Sequence, residues 1–100
     1  MAEVIWTDLA VEDINDIAEY IAKSSQKYAT IQTQRFFDRA LILESNPFAG
    51  KQLRESNDKN YRELNAGNYR IIYKVASDSL IYILSVIQGS TILNVENLPK

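Results

Sequence analysis

Apolar residues recur along the first half of the chain with a helical period. Ala10, Ile14, Ile17, Ala18 and Ile21 fall on one stripe, the spacing of an amphipathic helix. The short apolar run Val4–Trp6 before it is a β-type opening. Thr7 stands where a helix cap is needed, with Asp8, Glu12 and Asp13 near the positive end of the helix. Ser24-Ser25 breaks the stripe. A second helix is predicted from Gln26 to Glu44, with Ala29, Phe36, Phe37, Ala40, Leu41 and Leu43 as its apolar set. Asn46-Pro47 ends it, because proline drives the residue before it out of the helical region. Two amphipathic helices across a short break form a helical hairpin.

The period then changes. Gly50–Asn60 is polar and reads as a surface loop. Tyr61–Leu64, Tyr69–Val75 and Leu80–Ile87 read as strands, separated by turns at Asn65–Asn68 and Ala76–Ser79. Turns this short predict antiparallel neighbours. Leu80–Ile87 is apolar on both faces apart from Ser85, as a central strand covered on both sides would be. In Tyr69–Val75, Tyr69, Ile71, Tyr73 and Val75 share the side expected to meet the helices. Arg70, Ile72 and Lys74 share the other side, expected to stay open to solvent or a partner. The expected fold is α+β, in the order β-α-α-β-β-β, an antiparallel sheet with the helical hairpin on one face. Ile14, Ile17, Ile21, Phe37, Leu41, Ile71, Tyr73, Ile83 and Leu84 are its expected core, with Trp6, Phe36 and Phe48 at least at the core edge. The tail from Thr91 to Lys100 carries Ile92, Leu93, Val95 and Leu98 in a polar setting. It reads equally as a strand, a short helix or a flap.

A length of 100 residues allows one domain, residues 1–100 with 91–100 as a tail. Apolar residues make up 46% and charged residues 24%, the composition of a soluble globular protein. There is no Cys and no His. That excludes disulfides, thiolate nucleophiles, histidine bases and the commonest zinc and haem ligands. No apolar run spans a bilayer, and the acidic start is not a targeting peptide, so a cytoplasmic protein without membrane contact is expected. The net charge of −2 hides a polarised molecule, because residues 1–22 hold six acids and no base. Residues 51–74 hold Lys51, Arg54, Lys59, Arg62, Arg70 and Lys74. Such a balance does not suit a general duplex binder, but it permits a local basic site.

The ridge Asp8, Glu12, Asp16 reads as a solvated helix face rather than a cation site, and no metal or cofactor is expected. The bases of 54–74, interleaved with Tyr61, Tyr69 and Tyr73, have the make-up of a phosphate-binding surface. An ordinary soluble surface over a tyrosine-packed core has the same make-up. Without a phosphate loop or nucleophile elbow, a binding protein is the default.

Several stretches together resemble the RelE/ParE superfamily of bacterial toxins over about residues 4–89. They are Trp6-Thr7 with Ala10, Asp13-Ile14, Ile17 and Tyr20-Ile21; Asn46-Pro47-Phe48-Ala49-Gly50; Arg62-Glu63-Leu64; Gly67-Asn68-Tyr69-Arg70-Ile71-Ile72-Tyr73-Lys74-Val75; and Ile83-Leu84-Ser85-Val86-Ile87-Gln88-Gly89. The resemblance implies the toxin of a type II toxin–antitoxin module, of the kind associated with plasmid stabilization. It implies a cognate antitoxin encoded by an adjacent gene and a hetero-oligomer with it. RelE-like members are ribosome-dependent mRNA endoribonucleases that work without metal, and ParE-like members poison DNA gyrase. Under the ribonuclease alternative, Arg70 and Arg62 would supply the charge. Gln88-Gly89-Ser90-Thr91-Ile92-Leu93 holds no base, however, where many relatives carry a His-Gly-Arg-type sequence. The C-terminal Arg and Tyr of RelE-like catalysts are missing as well. The resemblance is therefore closer to ParE-like members, with a non-enzymatic gyrase inhibitor favoured over an enzyme. A non-toxic interaction module of the same fold is a further alternative. The antitoxin is expected on Arg70, Ile72, Lys74, Ile92, Leu93 and Val95.

Overall fold

The computed structural model describes residues 1–99. Strand β1 (Glu3–Trp6) leads into helices α1 (Asp8–Ala22) and α2 (Gln26–Leu41), and a 3-10 turn covers Ile42–Glu44. Strands β2 (Lys51–Gln52), β3 (Tyr61–Ala66), β4 (Tyr69–Ser77) and β5 (Leu80–Gln88) follow, and a second 3-10 turn covers Val95–Asn97. The order is the expected β-α-α-β-β-β with one two-residue strand added. The sheet runs β1-β5-β4-β3-β2. It is mixed rather than purely antiparallel, because β1 pairs with β5 in parallel. The hairpin α1–α2 is the long crossover that a parallel pair requires.

Both helix starts are built as the cap residues demand. Thr7 Oγ1 accepts from Ala10 N–H at 3.3 Å and donates to the Ile83 carbonyl at 2.7 Å, so one hydroxyl starts α1 and ties it to β5. Ser25 Oγ accepts from Tyr28 N–H at 3.0 Å. Between β3 and β4 the turn has shrunk to Gly67-Asn68, and Gly67 takes the positive φ of 64° that a tight hairpin needs.

The helix-side core gathers Ala10, Ile14, Phe36, Ala40, Leu43, Ile71, Tyr73, Val75, Ile81, Ile83 and Val86. Two expected core residues lie elsewhere. Phe37 and Leu41 are 41% and 59% exposed, because α2 buries the stripe Ala29, Gln32, Phe36, Ala40, Leu43. One residue further along turns a side chain about 100° away from such a stripe. Phe48 is also exposed, Ile17 and Ile21 are half-buried, and Leu84 belongs to a second cluster on the opposite face.

That second cluster is Leu53, Ile72, Leu84 and Leu98, with Tyr61, Tyr82, Ile87, Leu93 and Val95 against it. It overturns two expectations. Gly50–Asn60 is not simply a polar surface loop, since Lys51 and Gln52 pair with Glu63 and Arg62 and Leu53 is 1% exposed. The sheet face bearing Arg70 and Ile72 is not open either. The tail folds back as a flap with one 3-10 turn and covers it, because Leu93, Val95 and Leu98 have no other apolar surface to meet.

Candidate functional site

The face turned away from the helices is read in cross-strand rows. Tyr61, Lys74 and Tyr82 form one row, and Glu63, Ile72 and Ser85 the next. Asn65, Arg70 and Ile87 form the third. Period-2 alternation in β4 therefore places Arg70, Ile72 and Lys74 together as expected. Arg62 pairs with Tyr73, and the two lie on the helix side of the sheet. Its guanidinium donates to the Gly50 and Lys59 carbonyls at 2.9 Å and stacks 5.1 Å over the Phe48 ring. The two arginines of the ribonuclease alternative thus sit on opposite faces and form no common site.

Arg70 is fully buried. One terminal nitrogen, Nη1, donates to Glu55 Oε1 at 2.9 Å and to Glu63 Oε2 at 3.0 Å. The other, Nη2, donates to Glu55 Oε2 at 2.8 Å and to the Thr91 carbonyl at 2.7 Å. Nε has no partner among the described residues. Glu55 also accepts from Leu93 N–H at 3.0 Å, so both the loop and the tail are locked to one guanidinium. Glu63, buried beside it, accepts from the Arg54 backbone N–H and from Arg54 Nη2, each at 3.0 Å.

These contacts settle the charges. The hydrogen bond from Arg70 holds the Glu55 carboxyl at about 2, against the opposing effect of burial. Burial would raise the Glu63 carboxyl. The hydrogen bonds from Arg54 and the Arg70 charge outweigh it and keep Glu63 below its ordinary value. The bond to Glu55 raises Arg70 further, despite its burial. On the other face burial pushes the Tyr73 hydroxyl up, and that hydroxyl accepts from Gly50 N–H at 3.0 Å.

Among the residues singled out for a partner, Arg70 and Ile72 are therefore buried, not reachable. Lys74, Leu93 and Val95 are half-buried, and Ile92 is 90% exposed. Lys74 lies 5.4 Å from the Tyr61 ring centroid. Glu55 and Glu63 were missed as site residues. Glu63 left a trace, being an acid at the middle of a strand face opposite Ile72. Glu55 left none, because only the folded loop brings it to Arg70. Among the described residues no group of three acidic side chains is arranged to hold a metal ion, and no helix is long and apolar enough to cross a membrane.

The profile of the family described as "ParE toxin of type II toxin-antitoxin system, parDE" matches residues 4–93. Comparison with curated protein sequences gives no match. Among solved structures, the chain is similar to one from the chromosomal ParDE TA system of P. aeruginosa, with a TM-score of 0.71 and 21% identity over 88% of this chain and 96% of that one. It is also similar to the YoeB dimer from Staphylococcus aureus, with a TM-score of 0.59 and 20% identity over 86% and 94%. For the E. coli DinJ–YafQ complex the TM-score is 0.56, with 18% identity over 94% and 100%. Likeness at this level of identity establishes a shared fold.

Proposed function

Because the chain belongs to the ParE toxin family of the type II toxin–antitoxin system parDE, we propose that it is the toxin of such a module. In this reading it binds and poisons DNA gyrase, turns over no substrate, and is neutralised by an antitoxin encoded beside it. The observation that carries the target is the engagement of Arg70. A metal-free ribonuclease needs a cation at the scissile phosphate and an acid/base pair near it. Here the Arg70 guanidinium is committed to Glu55, Glu63 and the tail, and Arg62 is on the other face. A protein acting by surface recognition needs neither.

The antitoxin reading rests on the family and on the flap. Ile92 is exposed, Leu93, Val95 and Lys74 are half-buried, and Arg70 and Ile72 come within reach once residues 91–99 lift. An antitoxin segment with apolar residues and a carboxylate for Arg70 would satisfy that surface.

The ribonuclease alternative draws on one observation, the row Tyr61–Lys74–Tyr82, in which a cation lies between two rings on a partly open face. Purified chain tested on gyrase supercoiling and in a translation reaction separates the readings. Inhibited supercoiling with intact mRNA is expected. Codon-specific mRNA cleavage, lost in Lys74→Ala, would replace gyrase by the ribosome as target. Neither effect would leave an interaction module without toxicity.

A further inference from the structure

The edge of the sheet at β1 is open. Glu3 N–H bonds to the Ser79 carbonyl and Thr7 N–H to the Ile83 carbonyl. Parallel pairing uses alternate residues, so the odd-numbered residues of β1 face β5. The N–H and C=O groups of Val4 and Trp6 point outward, without a partner among the described residues. An unpaired strand edge is a template for another strand. Directly against this edge lies a cavity of about 180 Å³ whose apolar walls are Val4, Trp6, Phe37, Ala40 and Leu41. Phe37 stacks on Trp6 with ring centroids 4.9 Å apart. Leu41 and Phe37 are the two α2 residues that the core leaves outside, at 59% and 41% exposure. Gln34 and Phe37 also line a second cavity of about 230 Å³ between α1 and α2, so the trough continues along the helices.

The charges around the trough have one sign. Asp38 and Glu44 line the cavity and no base does. The bases of α2 point the other way, Arg39 donating to the Asn65 carbonyl and Arg35 to Gln32. Helix α1 carries acids and no base at all.

We infer that the β1 edge takes an added strand from the antitoxin, in a segment that alternates apolar residues with Lys or Arg. The inference rests on the toxin reading above and names a second surface, distinct from the flap-covered face. The unpaired backbone of Val4 and Trp6 calls for an extended chain. The cavity between Trp6 and Leu41 takes an apolar side chain from it, and Asp38 and Glu44 select basic neighbours. A second copy of this chain fits worse, since it would bring Asp38 and Glu44 against an equally acidic rim.

The experiment uses the complex of this chain with the product of the adjacent gene. Hydrogen exchange at the Val4 and Trp6 amides is expected to slow at least about tenfold on complex formation. Leu41→Glu and the double charge reversal Asp38→Lys with Glu44→Lys are each expected to weaken binding by about tenfold, equivalent to ~1.4 kcal/mol. Leu41 is mostly exposed, so the fold tolerates its replacement, and the charge-reversal variant tests the same surface independently. A complex that forms with both amides unprotected and both variants unaffected overturns the inference and leaves the antitoxin reading intact. A free chain that is dimeric, and becomes monomeric with Leu41→Glu, assigns the edge to a second copy and overturns it too. No complex at all removes both the inference and the reading beneath it.

Discussion

At the scale of single residues, Arg70 dominates. A buried guanidinium that meets two carboxylates and a carbonyl satisfies its neighbours as much as itself. Arg70→Ala leaves Glu55 and Glu63 as uncompensated charges, and breaking a buried pair from one side costs about 3–5 kcal/mol. Urea denaturation should show a loss of that size. A toxicity defect in Arg70→Ala is thus expected from lost structure alone, and Lys74→Ala is the cleaner probe of chemistry on this face. Acid acts on the same network through Glu55. Its carboxyl sits at about 2 in the folded chain against an ordinary 4.5, so the folded state binds that proton less tightly than the unfolded state. The stabilisation is complete above about 4.5 and vanishes as the pH falls toward 2. Thermal melts across this range should show the decline, and Glu55→Gln should flatten it.

Among the elements, α2 shows how burial chooses between neighbours. Phe36 is fully buried in the helix-side core and Phe37 is 41% exposed. Phe36→Ala is expected to cost about 3–5 kcal/mol, as a large core truncation does. Phe37→Ala should cost about 1 kcal/mol, because it removes an exposed ring and one stacking contact with Trp6. Equal losses in paired denaturation curves would mean that α2 is rotated from the position described. Strand β5 offers the matching test, since Ile83 is fully buried between the helices and the sheet. Ile83→Ala should lose about 2–5 kcal/mol.

For the whole molecule, the decisive feature is that the sheet has two covered faces. Helices bury one, and the loop with the tail buries the other through Leu53, Leu93, Val95 and Leu98. Truncation after Ser90 should cost about 3–5 kcal/mol, from fully burying a leucine at ~1.5–3 kcal/mol each and from Val95. It should also expose Ile72 and Leu84 and raise the binding of a hydrophobic dye. Unchanged stability in the shortened chain would show that the tail is not seated on the sheet.

Local order was legible in the chain. Thr7, the stripe through Ile14, the stop at Pro47 and the alternation of β4 each act through neighbours within a few residues, so their period and spacing determined the helices, most strand limits and which residues of β4 share a face. The family resemblance was legible for the same reason, being carried by short contiguous stretches. What only the tertiary structure decided depends on contacts far apart in the chain. The parallel seat of β1 beside β5 joins residues some 77 positions apart. The choice of Phe36 over Phe37 turns on the angle at which α2 meets the sheet. The burial of Arg70 requires Glu55, Glu63 and Thr91 to arrive from a loop, a strand and the tail, and no periodicity encodes such a meeting. A basic residue alternating along a strand reads as solvent-facing until the segments that neutralise it are in place.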